Sequence, residues 1–415
     1  MKMEKLFNDD VMSIDTYIMV KLKEKTAQLR DKLVQKNRAP IMLSMGAPTS
    51  NPPEILIEKL KEFLTEDNIH TYSVTRGENY FREACSQRMK DRFGVDIDPN
   101  TEVCSILGSK DGLANLIRFI INPKSDDKEK DIILIPDPGY ASYTQMIKCS
   151  GGKAYPMPLL PENNYQPDLD KVLENLKNEG YDENKIKAVI INYPNNPLGV
   201  GATREYVQSV LDFCKKHDLL LVSDAAYCDM YYDESEKPFS IFEFKGAKDY
   251  AIEMFTLSKP YAVTGWRLGW VCGNKDVIAR FAKGKSTIDN GIFKALQKAC
   301  AYIMTNPEGD DYIKNANASY KRKQSILVKG LKELGWELND SNVPTTTFYL
   351  WLPIPRKYDS CVKFCEDMLE KSGIVVVPGN AFGNNGEGYF RISYVCSDEK
   401  LQEVINRMKA DGFRY

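Results

Sequence analysis

Lys259 and Arg267 lie eight residues apart in the stretch TLSKPYAVTGWRLGW, residues 256–270, and no carboxylate separates them. Lys259 follows an apolar run, IEMFTL, and is flanked by the hydroxyls of Thr256 and Ser258. Two cations held together without an acid call for an anion or an electrophile from outside the chain. A lysine amine condenses with an aldehyde to a Schiff base, and an arginine beside hydroxyls grips a phosphate. Taken singly, a lysine at a strand end is most often a surface residue and an arginine there most often a structural ion pair. The other polar clusters of the chain change that balance.

Pyridoxal 5'-phosphate has both the aldehyde and the dianion, and it makes further demands. Its phosphate suits a helix N-terminus. GSKDG, with Ser109 and Lys110, opens the helical pattern KDGLANLIRFII. Its ring nitrogen works as an electron sink only when protonated, which asks for a buried carboxylate. Asp224 ends LLLVS, the most apolar run of the chain, where an unpaired charge would be costly and a pyridinium would compensate it. Tyr227 and Asn196 are donors for the ring oxygen, and Tyr140 is an aromatic for the ring face. Each also has an ordinary reading: helix cap for Asp224, turn residue for Asn196 in PNNP, core aromatic for Tyr140. In EGYFRISYV, alternation turns Phe390 and Ile392 to one face and Arg391 to the other. A planar guanidinium there can hold a substrate carboxylate bidentately.

The elements that must bring these groups together can be read from periodicity. Between residues 100 and 275, the runs EVCSIL, DIILIP, IKAVIIN, LLLVSD, AIEMFTLS and RLGWVCG alternate with helical patterns. Continuous apolar runs of this length are strands buried on both faces of a mainly parallel sheet. In TREYVQSVLDFCKKH, Val207, Val210, Leu211 and Cys214 trace one helix face, with Thr203 as N-cap. The candidate residues fall just after the strands, and in open α/β sheets ligands bind outside the strands' carboxyl ends. The spacing predicts an α/β fold of two domains: a large cofactor-binding domain over 50–305, and a smaller α+β domain from 1–49 and 306–415. A break at NPEGDD and a helix from about residue 312 to 334 open the C-terminal part, and a helix near 14–35 packs with it.

Composition narrows the class. A chain of 415 residues exceeds one compact core. A net charge of -2 offers no basic field for nucleic acid. The charged N-terminus lacks a signal-peptide core, and no apolar run spans a membrane. Ten scattered cysteines without a CxxC pair read as reduced thiols of a cytoplasmic protein. With only two histidines, a histidine-rich metal site or a Ser-His-Asp scheme is disfavoured, and no metal is expected. GKS at 284–286 lacks the leading glycine of a phosphate loop, since Ala279 stands there.

Together these segments resemble the fold-type I pyridoxal-phosphate enzymes of the class I/II aminotransferase family. SKPYAVTGWRLGW is similar to that family's lysine signature, NYPNNPLG to its Asn-Pro-Thr-Gly element, SDAAY to its Asp-x-x-Tyr element, YSVTRGENYFREA to its Tyr-x-x-x-x-Gly segment and MGAPTSNPP to its Gly-x-Pro segment. All occur in family order across nearly the whole chain. GSKDGL, DPGYASY, GWELNDSNVPTTTFYLWLPIP and VVVPGNAFGNNGEGYFRIS are most similar to the LL-diaminopimelate aminotransferases and their alanine and aspartate aminotransferase relatives. Leu198, Pro260, Ala141 and Thr346 depart from the family pattern at packing positions, not at chemical groups.

The resemblance implies catalytic roles for Lys259, Asp224 and Tyr227. It implies cofactor contacts from Ser109, Lys110, Tyr140, Asn196, Thr256, Ser258 and Arg267, and from Tyr72 reaching across a homodimer interface. For substrate it implies Arg391, Gly46, Tyr17, Asn196 and Asn290. The reaction implied is ping-pong transfer of an amino group between a small L-amino acid and a 2-oxo acid, in lysine biosynthesis if the donor is LL-diaminopimelate. A carbon-sulfur β-lyase and a non-enzymatic aminotransferase-like regulator are the competing readings.

Overall fold

In the computed structural model, residues 6–14, 18–339 and 342–415 are described. Seven strands form the central sheet: β1 (Val103–Ile106), β2 (Ile132–Asp137), β3 (Lys153–Pro158), β4 (Ile186–Ile191), β5 (Leu220–Asp224), β6 (Ala251–Thr256) and β7 (Gly269–Gly273). Their spatial order is β1-β7-β6-β5-β4-β2-β3. Every neighbouring pair is parallel except those of β7, which runs antiparallel to β1 and β6. This is the mainly parallel α/β sheet expected, flanked by helices. The six apolar runs are six of the strands. The seventh, β3, escaped the pattern because KAYPMP has only two fully buried positions, Tyr155 and Met157, as an edge strand does.

β1, β2, β4, β5 and β6 are buried almost throughout, which is why they read as unbroken apolar runs. One face packs against Leu113, Leu116 and Ile117 of the helix Ser109–Ile120. The other packs against Val207, Val210 and Leu211 of the helix Arg204–His217. Thr203 caps that second helix by accepting from the Tyr206 N–H at 3.2 Å.

A second core gathers the C-terminal region. β8 (Tyr349–Pro353), β9 (Val377–Pro378) and β10 (Tyr389–Ser393) form an antiparallel sheet in the order β9-β10-β8. Phe390 and Ile392 are fully buried among Leu350, Leu352 and Phe364. The long helix runs Pro307–Glu333, starting five residues before the expected point. Asn306 accepts from the Glu308 N–H at 3.0 Å and Pro307 takes the first turn, so the supposed break is the helix cap. The N-terminal helix, Ile18–Gln35, meets the helix Cys361–Ser372 through Lys25, whose ammonium pairs with Glu366 at 2.7 Å and Glu370 at 3.1 Å. Ile41–Met42 pairs in parallel with Ile374–Val375, so chain from both ends builds this second body.

Candidate active site

The carboxyl ends of the parallel strands and the face of β10 enclose one cavity of 490 Å³. Ser109, Lys110, Tyr140, Asn196, Asp224, Tyr227, Thr256, Ser258, Lys259, Arg267, Arg391 and Gly46 all line it. Tyr72 and Asn290 are exposed and lie outside its wall. Asn290, expected in the substrate pocket, is thus not part of this chain's cavity wall; its neighbour Gly291 lies against Val74, where a Cβ would stand 2.5 Å from the Val74 carbonyl oxygen. Tyr17 lies outside the described residues.

Asp224 ends β5 with 4 % of its surface exposed. Its Oδ2 accepts from the Tyr143 hydroxyl at 2.7 Å, and its Oδ1 has no hydrogen-bond partner among the described residues. Burial pushes its pKa up to about 6, against the downward pull of Tyr143, the Ala226 amide and Lys259. Lys259, half-buried just beyond β6, donates to the Gly46 carbonyl at 2.7 Å. Burial, then the nearby charges of Arg267 and Arg391, lower its ammonium to about 8, with Asp224 pulling the other way.

Arg267 sits at φ 53° and reaches over the start of the Ser109–Ile120 helix. It donates to the Leu107 and Thr264 carbonyls, each at 2.9 Å, and to the Ser258 hydroxyl at 3.5 Å. The N-cap of that helix is Gly108, and among the described residues no side chain caps its first turn. Gly108, at φ +81°, makes room for the guanidinium: a Cβ there would lie 2.7 Å from Arg267 Nη2.

Arg391 is buried and sandwiched, its guanidinium 4.2 Å from the Tyr349 ring centre and 4.7 Å from that of Phe382. Nη1 donates to Asn196 Oδ1 at 2.6 Å and Nη2 to the Ser44 carbonyl at 2.9 Å, while Nε has no partner among the described residues. Asn192 ties these elements together: its amide donates to the Asp224 carbonyl at 2.8 Å and its oxygen accepts from the Asn196 N–H at 3.0 Å.

The cavity meets the demands of pyridoxal phosphate point by point. Buried polar groups are almost always satisfied, so the free Asp224 Oδ1 at one end asks for a cationic donor, and a protonated ring nitrogen is one. Uncapped helix amides, Ser258 and Arg267 at the other end suit a dianion. Lys259 lies between them. The unmet Arg391 Nε, on the small-sheet side, suits a second anion such as a carboxylate.

Several residues of the site were not foreseen. Tyr143 does not line the cavity itself but stands behind it, donating to Asp224 and meeting the Tyr140 ring edge-to-face at 5.4 Å. Tyr349 opens β8 opposite Ser393, two residues along the neighbouring strand from Arg391, and its ring also meets that of Phe348 at 4.7 Å; the sequence does not reveal that pairing. Asn192, Ser44 and Phe382 carry no signal of their own in sequence. Of the departures from the family pattern, Leu198 is in the main core, Thr346 donates to the Gly199 carbonyl at 2.6 Å, bracing the turn that holds Asn196, and Ala141 lines the cavity.

Comparison with known proteins agrees with this geometry. Residues 38–408 match the family model for aminotransferase class I and II. The chain is 39% identical over 387 residues to the LL-diaminopimelate aminotransferase of Gloeobacter violaceus, covering 93% of this chain and 94% of that protein. It is 37% identical over 399 residues to that of Moorella thermoacetica, covering 96% of each. The substrate-bound structure of BacF from Bacillus subtilis superposes with a TM-score of 0.88 at 30% identity, over 97% of both chains.

Proposed function

The chain belongs to the class I and II aminotransferases, which depend on pyridoxal phosphate, and from that premise we propose that its amino donor is LL-diaminopimelate, in lysine biosynthesis. The observation that carries the donor is the identity of 36–39% to LL-diaminopimelate aminotransferases over nearly the whole chain.

Pyridoxal phosphate, when bound, supplies the carbonyl that lysine and substrate amines exchange on and a sink for the electron pair left at the substrate's α-carbon. Ser109, the amides just after it, Ser258 and Arg267 would hold its phosphate, Asp224 the proton on its ring nitrogen, Tyr227 and Asn196 its ring oxygen, and Tyr140 its face. Arg391 holds the substrate's α-carboxylate against the Tyr349 and Phe382 rings, which keep water off the guanidinium and fix its plane. That grip sets the α-carbon over Lys259. Because its ammonium is lowered to about 8, Lys259 reaches its free-amine form close to neutral pH. Its Nζ then takes the α-proton, a task a lysine at the ordinary value near 10.5 performs poorly. Asp224 stays ionised as long as its partner is charged, since each stabilises the other's ion.

A homodimer is part of this reading. Tyr72, Val74, Ile288 and Phe293 are exposed at 84%, 54%, 43% and 39%. Their two segments are packed together, with His70 stacked on Phe293 at 5.9 Å. An apolar surface of this kind suits a second copy, which would present Tyr72 and Asn290 to its partner's cavity. Ten unpaired thiols favour the cytoplasm, and no described helix is long and apolar enough to cross a membrane.

A donor panel with 2-oxoglutarate decides the substrate. LL-diaminopimelate should exceed alanine, aspartate and phenylalanine in kcat/KM by at least about tenfold, and K259A should lose nearly all turnover with every donor. A preference for alanine or aspartate would replace the donor, and release of pyruvate and ammonia from cystathionine would favour the β-lyase.

A further inference from the structure

We propose that Tyr349 is a positioning residue that couples the Arg391 carboxylate clamp to the Tyr227 phenol. Its ring is fully buried under the Arg391 guanidinium at 4.2 Å, and its hydroxyl lies 2.8 Å from that of Tyr227. The two tyrosine rings meet edge-to-face at 5.7 Å and 71°. Gly46 packs closely on the same hydroxyl: a Cβ there would stand 3.0 Å from it. The strand register supports the contact, because Tyr349 pairs with Ser393 and so lies diagonally across from Arg391, within reach of a long side chain.

The inference rests on the reading of Tyr227 and Arg391 given above, and that reading sets the direction of the hydroxyl pair. A phenol has a single proton to donate. If Tyr227 gives its proton to an anionic oxygen in the cavity, the bond between the phenols must run from Tyr349 to Tyr227. Hydrogen bonds in such a chain polarise one another, so Tyr349 makes Tyr227 the better donor. The guanidinium over the Tyr349 ring strengthens that donation by its field, and a carboxylate arriving on Arg391 weakens it. Tyr349 therefore transmits the arrival of a substrate carboxylate to the cofactor's ring oxygen. A less stabilised anion there holds the neighbouring exchangeable proton more tightly, so the pH midpoint of the cofactor's visible absorbance moves up.

The test is the Y349F holoenzyme, which keeps the ring under Arg391 and removes only the hydroxyl. Its visible band is titrated against pH with and without glutarate, a dicarboxylate with no amino group to transfer. The midpoint should rise by about 0.2–0.6 pH units relative to the parent. The further rise that glutarate causes should shrink, and kcat should fall while KM for the donor stays within about twofold. G46A, whose methyl would press on the Tyr349 hydroxyl and lengthen its bond to Tyr227, should move the midpoint the same way by a smaller amount and serves if Y349F does not fold. A Y349F midpoint and glutarate response equal to the parent's would remove this role for Tyr349 and leave the function standing. A parent chain with no visible band on adding pyridoxal phosphate would remove both.

Discussion

At Asp224, burial and charge oppose each other. Without a cationic partner the carboxylate is held in an apolar strand end with one oxygen unmet among the described residues, and its pKa rises to about 6. The ordinary value for the unfolded chain is near 3.9. A carboxylate shifted in this direction costs stability in full above the folded value; the cost fades as pH falls from the folded value toward the unfolded one and is gone below it. In the cofactor-stripped protein, D224N should therefore be more stable than the parent at pH 8, by roughly 2–3 kcal/mol. The difference should vanish toward pH 4. Thermal melts at the two pH values check this, and adding pyridoxal phosphate should reverse the order at pH 8, since only the aspartate can pair with a ring cation. A stripped variant no more stable than the parent at pH 8 would count against a strained Asp224. The burial of this residue was legible from its place at the end of LLLVS. Its partner Tyr143 was not, because a tyrosine in the first turn of a helix looks the same whether it faces solvent, core or a neighbouring strand.

The turn between β1 and the Ser109–Ile120 helix shows how an element builds a binding surface. Gly108 adopts φ +81° and ψ 160°, a backbone region open in practice only to glycine. Its missing side chain admits the Arg267 guanidinium to 2.7 Å from where a Cβ would be. G108A should lose about 1–3 kcal/mol of stability. By displacing a charge-assisted donor, it should also weaken pyridoxal phosphate binding about ten- to hundredfold, measured by fluorescence titration of the stripped protein. A variant that binds the cofactor as the parent does would show that Arg267 does not contribute to the phosphate cup. The strand-end clusters were readable because a parallel sheet gives each strand a dense apolar signature and places the residues just past each strand on one edge. The half-exposed edge strand β3 lacks that signature.

At the scale of the whole molecule, the one-chain cavity lacks the two residues, Tyr72 and Asn290, that the family resemblance assigns to a site. Both lie on the exposed apolar surface formed by residues 68–75 and 288–294. Lys285 braces that surface from beneath, wholly buried and donating to Asp289 at 2.6 Å and to the Thr75 carbonyl at 3.0 Å. Replacing Val74 and Ile288 together by aspartate should convert a dimer to monomers and abolish most activity, since like charges would face each other across a two-fold interface. Sedimentation velocity reads the mass, and kcat/KM is measured on the same samples. A monomeric parent, or a monomeric variant with full activity, would overturn the shared site.

The sequence alone determined the kind of chemistry and the sheet that supports it. Lysine, aspartate, tyrosine and arginine at strand ends state their chemical type by identity, and the sheet announces itself through local periodicity that needs no knowledge of distant contacts. The clamp was decided only by tertiary structure. Ser44, Asn196, Tyr349, Phe382 and Arg391 come from four separate stretches of chain and meet because the second sheet closes over the first. Their contacts are set by long-range packing, in which side chains hundreds of residues apart share one low-dielectric cavity, and no spacing along the chain encodes that directly.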